Sequence, residues 1–244
     1  MANTARIVRG LLLLLLAGFF VCCDEPVGTQ TETCSVGPEG AKTAEVGLRM
    51  GAGELRLKGA SQPALLEGAF RYNRERLRPQ VDYRVSGETG VLTVGQRRHS
   101  GIMFGRVRNE WDLSLSRAMP LELEVKLGAG RSELDLRGLD LMGVNVDMGV
   151  GEMRLDLQGP HAKNFRVKIN GGIGSGTILL PADVGVRVRV DGGIGSVSTR
   201  HLTKDHRLYT NDAYGKSDVT IDLEIHAGIG SLDLRVEPSE RSRF

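Results

Sequence analysis

A short glycine-centred phrase recurs six times in this chain and limits its fold more than any other feature. The copies read LRMGAGELRL from Leu48, VKLGAGRSELDL from Val125, VDMGVGEMRLDL from Val146, VKINGGIGSGTILL from Val167, VRVDGGIGSVST from Val188 and LEIHAGIGSLDL from Leu223. Each places alternating apolar residues on both sides of a Gly-x-Gly. The second glycines are Gly53, Gly130, Gly151, Gly174, Gly195 and Gly230, and the middle four are separated by 21, 23 and 21 residues. A fixed period of this size marks stacked units, each burying its apolar face on the next. Strict alternation, as in Leu121, Leu123, Val125 and Leu127 or Val184, Val186, Val188 and Val190, means strands with one buried face. No stretch beyond residue 44 shows helical periodicity. The chain is therefore expected to be all-β, a β-solenoid. A sandwich is the competing arrangement, but regular Gly-x-Gly spacing is less natural there. Glycine reaches positive φ without a Cβ clash, so the six second glycines are expected to turn or bulge the chain between two short strands per unit.

The segment between the first two copies has another texture. Phe70 to Tyr72, Val81 to Val85, Val91 to Val94 and Trp111 to Leu115 read as four strands with turns between them, expected to pair as antiparallel hairpins. Trp111, the only tryptophan, is expected to anchor a small core beside Phe70 and Tyr72. Residues 44–120 thus form the first solenoid strand plus an antiparallel subdomain, residues 121–236 the repeats, and 237–244 a tail. Residues 58–120 and 200–218 interrupt the series and are the candidate caps.

The first residues read as a targeting segment. Arg6 and Arg9 precede an apolar run from Leu11 to Val21, too short to span a bilayer but suited to a signal peptide. It ends at Cys22-Cys23, and a cysteine in that place resembles the acylated residue of a bacterial lipoprotein. Cys23 is the expected lipidation site, Cys22 the alternative. A plain secreted protein or an uncleaved anchor are the other readings, and all three export the body. Residues 24–43 are polar and read as a flexible tether holding a free Cys34, with no disulfide framework.

Chemistry is sparse. Gly172 to Gly176 is followed by the strand-like Thr177-Ile178-Leu179-Leu180, not by a helix or a Lys-Ser/Thr pair, so a phosphate loop is excluded. Asn170, Asp147 and Asp191 sit at equivalent turns without the calcium-repeat spacing and read as caps of their own turns. His201 and His206 flank Asp205 in a polar stretch, not on a helix, and no serine sits in a nucleophile elbow. No catalytic residue, metal or cofactor is expected. Asp135, Asp156 and Asp233 recur after Leu and would have to align on one face to support a carbohydrate-active enzyme.

Lys+Arg 32 against Asp+Glu 30 says nothing about a polyanionic partner overall. Locally, however, Arg71, Arg74, Arg76, Arg78, Arg84, Arg97, Arg98, Arg106 and Arg108 share a span with only Glu75, Asp82 and Glu88. The bland reading is solvated hairpin faces that block edge pairing. The sharper one is a lobe that meets anionic surfaces through Arg97, Arg98, Arg106 and Arg108, beside a lipid anchor.

The run N-E-W-D-L-S-L (109–115), M-P-L-E-L-E-V-K-L-G-A-G (119–130) and S-E-L-D-L-R-G-L-D-L (132–141) resembles the bacterial toast-rack family, the C-terminal domain of LiaF-type envelope regulators and the proposed adhesin β-solenoids. The resemblance covers residues 44–236. It implies a right-handed β-solenoid tethered at the bacterial envelope and supplies no catalytic residues. LiaF-type members carry transmembrane helices before this domain; here there is only the signal-like segment. The function expected is a non-enzymatic envelope lipoprotein, a scaffold for binding, adhesion or sensing. The alternatives are a LiaF-like domain restraining an envelope-stress sensor, or an exported carbohydrate-active β-helix. The expected partners are the membrane through the anchor, and an envelope polyanion or membrane protein. No nucleic acid is expected, and self-association is left open.

Overall fold

Five of the six copies are single long strands. The computed structural model describes residues 28–96, 106–193 and 195–237. The five are β2 (Thr43–Ala60), β7 (Leu121–Asp135), β8 (Leu141–Asp156), β9 (Phe165–Pro181) and β14 (Thr220–Glu237). The fifth copy alone is split, into β10 (Gly185–Gly192) and β11 (Gly195–Arg200). Two short strands per unit, as the sequence suggested, is therefore not what forms. The chain bends at each Gly-x-Gly, but each arm keeps its in-register parallel neighbours, so the strand runs through the bend.

Each coil has two arms that face each other across the core. Short links, such as residues 136–140, return the chain from the end of one arm to the start of the next coil's first arm. The first arms align Val46, Leu123, Val144, Val167, Leu223 and Val188 as one ladder, all buried. The second arms align Leu57, Leu134, Leu155, Ile178 and Leu234, also buried. Burying one such side chain contributes about 1.5–3 kcal/mol, so the ladders drive the stacking. Leu136, Leu139, Leu157 and Val184 plug the side opposite the glycines.

The stacking order departs from the chain order. Across the sheet the coils run β2, β7, β8, β9, β14 and then β10, so the sixth copy lies between the fourth and the fifth. Beyond β11 the chain forms a hairpin, β12 (Thr203–Asp205) and β13 (Leu208–Thr210), whose second strand pairs antiparallel with β10. It then passes residues 211–219 and enters the slot left between β9 and β10. This hairpin covers the last coil's first arm only; the second arm, β11, is exposed along its length.

The other end is capped within the same sheet. The predicted strands are β3 (Leu66–Tyr72), β4 (Pro79–Ser86), β5 (Thr89–Gln96) and β6 (Asn109–Ser116), with a 3-10 turn at Glu75–Leu77. They pair antiparallel as expected, β3 with β6 and β4 with β5, and both pairs join the stack itself. β5 and β6 run parallel to the two arms of β2 and together act as one more coil, while β4 and β3 add antiparallel strands outside them. Trp111 meets Phe70 edge-on, with ring centroids 5.5 Å apart, and both join the common core.

The tether over 24–43 also needs correcting in its described part. Gln30–Val36 forms β1, antiparallel to β3 at the sheet edge. A polar edge strand needs only backbone pairing and one partly covered face, which the sequence Q-T-E-T-C-S-V does not advertise. Cys34 is half-buried in this strand against β3, and burial pushes its thiol pKa up.

Candidate functional site

The glycines form the inner architecture of the corner. Gly53, Gly130, Gly151, Gly174, Gly230 and Gly195 stack in register. A Cβ on Gly151 would lie 1.8 Å from the Gly130 carbonyl oxygen, and one on Gly130 would lie 1.9 Å from that of Gly53. Gly130 and Gly151 also hold φ of +130° and +139°, which disfavour a side chain independently. The column is set by close backbone approach between coils.

The outward ladder faces carry rows of paired polar side chains. On the first arms, Arg49 donates to Glu124 at 3.0 Å, and Lys126 bridges Glu124 at 2.7 Å and Asp147 at 3.8 Å. Asn170 then donates to Asp147 at 2.6 Å. These partners hold the Glu124 carboxyl below its usual range, the Lys126 hydrogen bond contributing most. Exposed pairs of this kind contribute about 0–1 kcal/mol each, so the row fixes register and surface charge more than stability. Nearer the far end, Arg187 forms a two-point pair with Asp222, at 2.6 and 3.0 Å, across β10 and β14. It holds Asp222 below its usual range and raises the Arg187 pKa.

The three aspartates of the enzyme reading do not assemble. Asp135 and Asp156 are register partners, but Asp233 pairs with Thr177, in a different row and beyond an intervening strand. Asp135 accepts the Arg137 amide, and Asp156 the Gln158 amide, each two residues on, so both close the turn leaving their coil. Arg137 spans the two, 2.7 Å from Asp135 and 3.6 Å from Asp156. Their environments differ: Arg137 pulls the Asp135 pKa down, while burial pushes that of Asp156 up.

The arginine-rich span is less basic in three dimensions than along the chain. Arg71 pairs with Asp112 at 2.7 Å, Arg78 with Glu32 at 2.9 Å and Arg108 with Glu110 at 2.9 Å. All three carboxylates lie outside the span. Arg74 is buried. Arg106 and Arg108 sit just before β6, where the Asn73 side chain binds the Arg106 carbonyl and the Arg108 amide. Arg97 and Arg98 lie outside the described residues, as do Cys22 and Cys23. His201 and His206 both adopt positive φ, and exposed His206 pairs with Asp205 at 2.7 Å. Among the described residues no group of three or more His, Cys, Asp or Glu could hold a metal, and no helix is long and apolar enough to cross a membrane.

A single bent parallel sheet with a glycine corner and antiparallel caps defines a β-solenoid of the toast-rack class. The chain belongs to the toast-rack family: the family model described as the N-terminal domain of toast_rack, DUF2154, matches residues 25–179. A second model, for the C-terminal region of LiaF, the cell wall-active antibiotics response protein, matches residues 129–234. Among solved structures, a proposed cell adhesion protein from Clostridium sporogenes is 30% identical with a TM-score of 0.81, over 87% of this chain and 100% of that one. A proposed adhesin from Bacteroides fragilis is 11% identical with a TM-score of 0.31, over 85% of this chain and 97% of that one. No curated protein matches the chain. Family and fold together support a non-enzymatic scaffold or regulatory role.

Proposed function

We propose that this protein is an exported scaffold of the bacterial envelope, anchored by lipid on Cys23, whose outward ladder faces bind a surface partner in adhesion or sensing. The observation that carries this reading is the parallel register of five long strands, which shifts by one residue between Leu121 and Glu122 and is otherwise kept from arm to arm. It lays side chains in straight rows along two extended faces, the geometry by which stacked repeats build binding surfaces. The Clostridium relative, matched over its whole length and described as a proposed cell adhesion protein, supports the same direction. Arg106 and Arg108, with Arg97 and Arg98, stay the proposed contacts to anionic envelope polymers or headgroups.

The test is intact-mass measurement of the membrane-extracted protein, with Cys22→Ser and Cys23→Ser beside the native chain. A diacylglyceryl-sized mass lost only in Cys23→Ser is expected. An unmodified, cleaved and soluble native product would remove the anchor. Binding to purified envelope fractions should weaken with salt, and salt-independent absence of binding would remove the arginine contacts.

The match of residues 129–234 to the LiaF C-terminal region favours a second reading, restraint of a membrane sensor. Deleting the gene should then derepress an envelope-stress response, which pure adhesion does not require.

A further inference from the structure

The inner corner of the stack is filled at one end and hollow at the other. The core residue before each Gly-x-Gly runs, in stacking order, Met50, Leu127, Met148, Gly171, Ala227 and Gly192. Register partners in a parallel ladder share a face, so Gly171, where a Cβ would meet nothing within 4 Å, leaves vacant the space that Met148 fills one coil earlier, and Ala227 fills little of it one coil later. Across the corner the second arm repeats the pattern: Met153 is followed by Gly176. The result is a cavity of about 280 Å³ with Met148 and Met153 on one side and Val190 and Leu232 among its walls. That size is just under the range of small-molecule pockets, roughly 300–1,000 Å³.

The cavity reaches the end of the stack that the β12–β13 hairpin covers only in part. Its border there includes Gly195 and Ser196 of the exposed β11, together with Lys204, His206 and Arg207 of the hairpin. Lys204 lies 5.5 Å from the centre of the Tyr209 ring, which also borders the cavity. Arg207 reaches Asp191 at 3.1 Å from a side chain that is 81% exposed, so it stays within reach of solvent and of a ligand head.

We propose that this corner cavity binds a single acyl chain with an anionic head, namely a free medium-chain fatty acid, tail against Met148 and Met153 and carboxylate at Lys204 and Arg207. A space of about 280 Å³ has no room for the two chains of a membrane lipid, and the cations on its border select the charged end. The inference stands on the cavity alone and does not depend on lipid anchoring or envelope placement.

Gly171 offers a direct test. Unlike the corner column, it has no positive φ restriction, and a Cβ there would meet nothing within 4 Å. Gly171→Met should therefore continue the Met148 ladder into the cavity while keeping the fold. Decanoate is titrated calorimetrically into the full chain, with decanol and decyltrimethylammonium as head-swapped probes. Saturable one-to-one decanoate binding is expected, weakened at least tenfold in Gly171→Met with an undiminished unfolding temperature. A Lys204→Gln/Arg207→Gln chain should lose at least tenfold for decanoate and little for decanol. Absence of saturable decanoate binding, or equal binding by Gly171→Met, overturns the site. Equal affinity for decanol and decanoate in the native chain overturns the anionic head. Uptake of anionic vesicles without decanoate binding also overturns it, in favour of a membrane surface.

Discussion

The side-chain oxygen of Asn211 accepts the Val186 amide at 2.9 Å, and the same residue donates to the Val184 carbonyl at 2.8 Å and the Pro181 carbonyl at 3.2 Å. One buried amide thus ties down the short link by which the chain leaves β9 and skips a slot before β10. Asn211→Leu removes three hydrogen bonds and strands the Val186 amide in the interior. Leaving one buried group unsatisfied costs about 1–3 kcal/mol, so a loss of roughly 2–4 kcal/mol is expected by urea unfolding. Hydrogen exchange should place the loosening in β10 and β14 and spare β2 and β7.

The two kinds of glycine should respond oppositely to one methyl group. Gly151→Ala drives a Cβ into the Gly130 carbonyl and should cost about 4 kcal/mol or more, or abolish folding. Gly171→Ala enters open space and should be neutral or stabilising by up to about 1 kcal/mol. Thermal unfolding of the pair checks both; equal losses would show that close approach is not what the corner glycines serve.

Two aspartates should give opposite pH signatures. Asp222 is held below its ordinary pKa by Arg187, so its contribution is present above that ordinary value and lost as pH falls through the lowered folded one. Asp156 is raised by burial, so its protonated form fits the fold better, and stability falls as pH rises from the ordinary to the raised value. Asp156→Asn should therefore stabilise the chain near neutral pH and flatten that slope. Asp222→Asn should destabilise it near neutral pH and have less effect in acid. Unfolding midpoints across the carboxylate range separate the two.

Trp111 reports on the first cap. It is the only tryptophan, 1% exposed and in edge contact with Phe70, so its emission should be blue-shifted in the native state. Phe70→Ala should cost about 3–5 kcal/mol and shift the emission to the red. A tryptophan transition that precedes loss of the far-ultraviolet β signal would show that this cap melts before the stack.

What the sequence disclosed was the part governed by local pattern. Alternation in Leu121 to Leu127 or Val184 to Val190 reports which face is buried, and the recurring Gly-x-Gly reports where coils touch. The stacking order was hidden because all six copies present nearly the same edge. What separates Leu223 from Val188 as the neighbour of Val167 is a link length and one buried asparagine, neither of which carries a periodic signal. β1 was missed because an edge strand needs few apolar residues. The arginine span looked more basic than it is because Glu32, Glu110 and Asp112 come from elsewhere in the chain. The corner cavity could have been noticed by aligning the copies, where Met or Leu before the first glycine gives way to Gly171 and Ala227.

The displaced sixth copy has a consequence for synthesis on the ribosome. The chain emerges with β10 and β11 before β14, yet among the described residues β14 alone joins them in parallel to the rest of the stack. Until residues 220–237 are available, the fourth copy ends in a bare edge and the fifth has no neighbour in the stack. The last long strand is thus a keystone: chains halted before it leave an open β-edge available for proteolysis or mispairing, whereas a chain that inserts it closes the structure in one late step.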